Sequence, residues 1–99
     1  MAAPEIPTAA SLRQLQCDKY LADKPDFKQN LIDLLNTTFA VNGKEALEMN
    51  LGHAPKSEQL RAATTIWWLL EPRGFIVKHF FGPGGNLRVW VSLEPAPTA

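Results

Sequence analysis

Two runs of alternating apolar and polar residues near the C-terminus form the clearest pattern in the chain, at residues 75–81 and 87–93. A period of two residues places alternate side chains on one buried face and one wetter face of a strand. Residues 82–86, Gly-Pro-Gly-Gly-Asn, lie between the runs. Glycine adopts positive φ freely, and five residues is a usual length for a hairpin connection. The pattern therefore predicts a β-hairpin.

A helix is predicted just before the hairpin, from Ser57 to about Glu71. Ser57 can cap its first turn, and Pro72 and Gly74 follow where the helix should end. When the positions are sorted at about 100° per residue, one stripe is apolar and the opposite face is mostly polar. We expect the stripe to face the core: Leu60, Ala63, Ile66, Trp67 and Leu70. The outer face then carries Ser57, Glu58, Arg61, Ala62, Thr65 and, near its border, Trp68.

Three further helices are predicted upstream. The first, about 11–22, is apolar on two sides, so it either packs between other elements or takes part in a subunit contact. The second begins near Pro25-Asp26 and repeats apolar residues on a single face as far as Phe39. A short third helix is expected over about 44–51, followed by a turn that contains glycine. The chain is thus predicted to be α+β, with three to four helices followed by a C-terminal β-hairpin.

Proline and small residues dominate both ends of the chain. Residues 1–9 and 94–99 carry too little apolar surface to offset the entropy of ordering, so we expect flexible tails. The residues between them, 10–93, are predicted to form one domain, because 99 residues can bury only one core.

Few residues suited to catalysis or metal binding occur, and they are widely spaced. Cys17, His53 and His79 are the only cysteine and histidines, whereas a zinc site needs three or four convergent ligands. We therefore expect no enzyme activity, no cofactor and no metal. A single cysteine excludes an internal disulfide and favours a reducing compartment. Neither a membrane-length apolar run nor a signal peptide is evident, so we expect a cytoplasmic protein without membrane contact.

The charges sum to zero but are unevenly distributed. Residues 1–55 contain five basic and seven acidic side chains, whereas residues 56–93 contain five basic and two acidic side chains. Such asymmetry indicates an anionic partner for the second half of the chain.

The order of the predicted elements resembles the winged helix-turn-helix family. The phrase Leu70-Glu71-Pro72-Arg73-Gly74, followed by apolar residues, is similar to the one that joins the recognition helix to the wing in that family. The resemblance covers about residues 26–93. It implies a recognition helix at about 57–71 and a wing at 75–93. It further implies sequence-specific binding to double-stranded DNA, by a transcriptional regulator or a protein that marks a replication or partition site.

The resemblance also assigns DNA-binding roles residue by residue. The recognition helix would present Lys56, Ser57, Arg61, Thr64 and Thr65, with Arg61 reaching a guanine edge and Lys56 and Ser57 contacting phosphates. The wing would be flanked by Arg73, Lys78 and Arg88. The chain departs from the family in that its hairpin tip has no Lys or Arg and Glu58 lies at the start of the helix. Because one copy would neutralise few phosphates, we expect a homodimer on two half-sites.

A second hypothesis keeps the fold but replaces DNA with a protein partner. Trp68 and Trp90 fall on outward or border faces, and tryptophan is frequent at protein interfaces. The chain would then be an adaptor or inhibitor module that contacts its partner through these residues and the edge of the hairpin. Salt separates the two hypotheses, since DNA binding weakens steeply as salt rises and an apolar contact does not.

Overall fold

A computed structural model describes residues 5–93 as an α+β fold of three α-helices and a three-stranded antiparallel sheet. The helices are α1 (Ala9–Asp23), α2 (Phe27–Leu35) and α3 (Lys56–Leu70), and the strands are β1 (Ala46–Asn50), β2 (Ile76–Phe81) and β3 (Leu87–Ser92). The strands lie in the order β1-β3-β2. Residues 1–4 and 94–99 of the predicted tails lie outside the described range.

Helix α1 begins at Ala9, slightly earlier than predicted, because Thr8 caps it. The Thr8 hydroxyl accepts a hydrogen bond from the backbone N–H of Ser11 at 3.0 Å, which satisfies one of the free donors of the first turn. Of the two apolar sides of α1, the one with Cys17 and Tyr20 is buried, and the other side is exposed.

Helix α2 buries Leu31 of its predicted apolar face and half-buries Phe27 and Leu35, whereas Leu34 is 37% exposed. The helix continues into a π-helical turn, Asn36–Val41. The ring of Phe27 meets the ring of Tyr20 edge-on, with centroids 5.0 Å apart, and so joins α2 to α1. Gly43 follows with φ +66°, which ends the helical segment.

The predicted short helix over 44–51 is wrong, since this segment contains strand β1. Leu47 pairs with Val91 and Met49 with Val89 on β3. The alternation of residues 46–51 fits a strand with one covered face, and the pairing with β3 stabilises that conformation. Helix α3 therefore follows a strand and a turn at residues 51–55, and the predicted helix-turn-helix pair does not form in the described part of the chain.

The hairpin is confirmed. Strand β2 pairs with β3 in a register that places Val77 opposite Val91 and Phe81 opposite Leu87. Gly84 and Gly85 take φ of 77° and 75° in the connection. At the other end, α3 passes through a 3₁₀ turn at Glu71–Arg73, and Gly74 ends it with φ 93°.

The core lies between α3 and the sheet face that carries Leu87, Val89 and Val91. The prediction of which α3 residues face the core is partly wrong. Leu60 and Trp67 were expected in the core but are 64% and 36% exposed. Ala62, expected on the outer face, is buried. The reason is that α1 packs along one flank of α3, so the covered arc of α3 is shifted away from its apolar stripe. The residues of α3 that are buried are Gln59, Ala62, Ala63, Thr65, Ile66 and Leu70.

Candidate nucleic-acid interface

A groove of about 370 Å³ runs between α1 and α3 and is strongly basic. Three cationic side chains border it: Arg13 and Lys19 from α1 and Arg61 from α3. None of the described residues that line the groove is a carboxylate. Its remaining lining residues are Gln16, Cys17, Leu60, Thr64 and Thr65. This arrangement favours an anionic ligand, because the three positive charges share one surface.

Arg61 is exposed, yet its position is restrained by Tyr20. The guanidinium carbon lies 5.8 Å from the centroid of the Tyr20 ring, within the range of a cation–π contact. Burial raises the pKa of the Tyr20 hydroxyl above its ordinary 10.0. Arg13 donates to the side-chain oxygen of Gln16 at 2.8 Å. These contacts orient two of the three cations.

Glu58, the acidic residue at the start of α3, has a cationic partner. Its carboxylate lies 3.3 Å from the Lys24 ammonium group, which belongs to the residue that follows α1. Both side chains are partly exposed, so the pair adds about 1 kcal/mol or less to stability. The ion pair therefore largely neutralises the negative charge of Glu58 near the groove.

The predicted residues at the start of α3 are accessible. Lys56 and Ser57 are exposed, and Thr64 is half-buried at the border of the groove. The ammonium group of Lys56 lies beside Gly85 at the tip of the hairpin, 3.3 Å from where a Cβ would stand.

Thr65 does not fit its predicted role in DNA binding. Its side chain is only 2% exposed, and its hydroxyl donates to the carbonyl oxygen of Arg61 at 2.8 Å. Thr65 was assigned to the outer face because the prediction allowed α3 only one covered side.

The three residues predicted to flank the wing are not near this groove. Arg73 lies beyond the C-terminal end of α3, where its guanidinium donates to the carbonyl of Leu69. It lies eight residues beyond Thr65, the last residue of α3 that lines the groove, or about 12 Å at 1.5 Å per residue. Lys78 and Arg88 occupy the face of the sheet opposite to the one that packs on α3, since they alternate with the buried residues of the strands.

Lys78 and Arg88 have partners on that outer sheet face. The Lys78 ammonium group lies 5.4 Å from the centroid of the Trp90 ring, and Arg88 donates to the Glu48 carboxylate at 2.9 Å. Trp90 is half-buried there, beneath Lys78. The structure therefore divides the predicted site into two surfaces on opposite sides of the sheet.

Trp68 contributes to the contact between helices. It is half-buried, and its indole N–H donates to the side-chain oxygen of Gln14 on α1 at 2.7 Å. This hydrogen bond helps to hold α1 against α3 and thereby sets the width of the groove.

Arg13 and Lys19 were missed as site residues by sequence reasoning. Arg13, Gln16 and Lys19 recur at intervals of three on α1, which places them on one side of the helix. That polar arc was visible in the sequence, but its position beside α3 depends on tertiary packing.

Residues 5–93 contain no cluster of three or more histidine, cysteine, aspartate or glutamate side chains arranged to hold a metal ion. In the same range, no helix has both the length and the apolar character needed to cross a membrane. No family model matches the chain, and no curated protein or solved structure matches it either.

Proposed function

We propose that the chain binds double-stranded DNA sequence-specifically, and that it acts as a transcriptional regulator or marks a replication or partition site. The observation that carries the proposal is the cationic groove between α1 and α3, which lies beside an exposed, largely polar face of α3. In this proposal the first half of α3 enters the major groove, and cations of α1 contact the phosphates.

The exposed face of α3 has the chemistry needed to contact base edges. Ser57, Leu60, Arg61 and Thr64 follow one another at helical spacing, and the major groove is wide enough to admit an α-helix. Arg61 is the residue suited to the O6 and N7 acceptors of guanine. The exposed Leu60 side chain is suited to apolar contact with a thymine methyl group. Arg13 and Lys19 would add phosphate contacts, which give affinity without sequence preference.

We infer a winged-helix-like arrangement as the finer description of the fold, with strand β1 in place of the helix expected before α3. Helix α3 leads directly into the hairpin, and β1 pairs with β3 of that hairpin. The proposed site differs from the one implied by the resemblance, because α1 replaces Lys78 and Arg88 as the source of the additional positive charge.

The test is a fluorescence-anisotropy titration with mixed genomic duplex fragments at two salt concentrations, followed by selection of a preferred site. Arg61→Ala should lower affinity for the selected site by about 1–3 kcal/mol, or roughly 5- to 150-fold, and relax specificity. Arg13→Ala should weaken binding to all duplexes and reduce the salt slope by about 0.9, the contribution of one phosphate contact.

Arg88→Ala is the matched control, since it removes one cation from the opposite face of the sheet and lies on β3, away from the edge of β2. It should leave DNA affinity and salt slope unchanged. An Arg61→Ala variant that is folded and binds the selected site normally would refute the assignment of α3 as the recognition helix.

A protein partner is the second candidate function. It is favoured by the outer sheet face, where Trp90 and the exposed Phe80 lie with no helix of the described chain packed over them. No binding to DNA at low salt by the folded protein would favour this candidate, and a pull-down would then be used to find the partner. Binding through this apolar face should persist as salt rises.

A further inference from the structure

Strand β2 forms a free edge of the sheet, with β3 on one side and no strand of residues 5–93 on the other. In an antiparallel sheet, the backbone N–H and C=O groups of one residue point to the strand on one side, and those of the next residue point to the strand on the other side. Strand β3 bonds to the β1 side through Leu87 and its alternate residues, as the bond from Leu51 N–H to Leu87 C=O shows. Strand β3 bonds to β2 through the residues that lie between these. The backbone N–H and C=O groups of Val77, His79 and Phe81 therefore point outward, away from β3.

This edge carries few of the features that normally prevent strands from pairing. Natural edge strands are blocked by proline, bulges, charged side chains such as lysine, or a covering helix or loop. Strand β2 contains no proline, pairs with β3 without a bulge, and carries its only lysine, Lys78, on the outer face. On the covered face, Phe81 is 76% exposed and His79 is exposed as well.

Helix α3 also leaves apolar side chains uncovered. The ammonium group of Lys56 borders the hairpin tip, and Leu60 and Trp67 follow it along the helix, 64% and 36% exposed. Leu60 also lines the groove between α1 and α3.

We propose that a second copy of this chain pairs its β2 with this edge, antiparallel, about a two-fold axis that passes beside His79. In this register His79 lies opposite the partner's His79, and Val77 lies opposite the partner's Phe81. Lys78 lies opposite the partner's Phe80. Outside the central pair of His79 side chains, the strand is complementary to itself, because Val77 faces an apolar ring on the covered face and Lys78 faces an aromatic ring on the outer face.

Charge and symmetry favour this register and a second copy of the chain as the partner. A shift of the partner strand that placed Val77 opposite the partner's His79 would place Lys78 opposite the partner's Lys78, which is destabilising. The register centred on His79 avoids that contact and pairs residues 77–81 of β2. Pairing β2 with the β1 edge of another copy would be a head-to-tail contact that can repeat into an open filament, whereas the two-fold arrangement uses the same edge in both copies and therefore ends at two. The dimer has one continuous six-stranded sheet.

The first test is the oligomeric state of the full chain, measured by light scattering and analytical ultracentrifugation. The wild-type protein should have twice the 11.0 kDa mass of one chain at micromolar concentrations. His79→Pro should halve the measured mass, because it removes an outward N–H and leaves the bonds between β2 and β3 intact. Glu48→Pro is the matched control, since it makes the same change at the outward edge of β1, and it should remain dimeric.

The second test fixes the register through engineered cysteines. The native Cys17 is buried and does not interfere. His79→Cys should form an intermolecular disulfide on mild oxidation, because directly opposite residues have Cα atoms about 5.5 Å apart, within disulfide range. Val77→Cys and Phe81→Cys should not cross-link alone, since each would lie about 13 Å from its own copy. The two substitutions combined in one chain should cross-link.

Three outcomes overturn the proposal. A wild-type protein that is monomeric throughout the concentration range would do so, as would a folded His79→Pro variant that remains dimeric. Cross-linking through the single Val77→Cys or Phe81→Cys variants, but not through their combination, would show a different interface. None of these outcomes depends on whether the chain binds DNA.

Discussion

Gln59 is predicted to make the largest side-chain hydrogen-bond contribution to the stability of the fold. It is 4% exposed and joins three parts of the chain. Its side-chain oxygen accepts a bond from the backbone N–H of Leu87 at 2.9 Å. Its amide nitrogen donates to the carbonyl of Ala54 at 3.0 Å and to the side-chain oxygen of Asn86 at 3.2 Å. The first turn of α3, the turn before it and the start of β3 therefore share one side chain.

Gln59→Met removes these hydrogen bonds and keeps an unbranched side chain of similar volume, so no large cavity forms. The buried N–H of Leu87 would lose its partner, which costs about 1–3 kcal/mol. Each of the two donated bonds contributes about 0.5–1.5 kcal/mol, and the greater apolarity of methionine offsets part of the sum. We expect a net loss of about 2–4 kcal/mol in the free energy of unfolding, or a fall in Tm of roughly 10–25 °C for a domain of this size.

The assay is urea unfolding followed by tryptophan fluorescence, with the free energy extrapolated to water. Gln29→Met is the matched control, because the Gln29 amide is exposed and bonds only to Asp33 at 2.9 Å. The control should change stability by less than about 0.5 kcal/mol. A loss below about 1 kcal/mol for Gln59→Met, or a loss equal to that of the control, would refute the argument that Gln59 joins these segments.

Two further predictions concern the packing of α1 on α3. Tyr20, the only tyrosine, should ionise above 10.0 in an ultraviolet titration, because burial raises its pKa. Tyr20 therefore ionises at lower pH in the unfolded chain than in the folded chain. Its contribution to stability is full below about pH 10 and is lost as pH rises through the higher folded pKa. Tyr20→Phe should remove this dependence of the free energy of unfolding on pH. Trp68→Phe and Gln14→Ala should each cost about 0.5–1.5 kcal/mol. Their double mutant should be less destabilised than the sum, because both remove the same hydrogen bond.

The hairpin could be predicted from the sequence because its determinants are local. Alternation with period two and a connection rich in glycine both act within about twenty residues, and the structure has both strands where the pattern indicated them. Strand β1 could not be predicted in the same way. Ala46, Leu47, Glu48 and Met49 are residues that favour helix locally, and they form a strand because β3, more than 35 residues further along the chain, supplies the partner.

The site was only partly predictable for a similar reason. The accessibility of Lys56, Ser57 and Arg61 follows from the polar pattern of α3 and agrees with the structure. The burial of Thr65 follows from the packing of α1, which no local pattern in α3 reveals. The placement of Lys78 and Arg88 away from α3 could, however, have been predicted from the sequence, since both residues alternate with the apolar positions that face the helix.

The two proposed surfaces are formed by different elements and are therefore compatible. The cationic groove lies between α1 and α3, whereas the proposed dimer contact is the backbone edge of β2. A dimer through β2 would leave the groove open in both copies and double the number of phosphates that the assembly can neutralise. The salt slope of DNA binding scales with that number. A monomeric His79→Pro variant should therefore show about half the salt slope of the dimer, which is the contribution of one groove. Sequence preference, which depends on Arg61 within each copy, should persist in the monomer even as affinity falls.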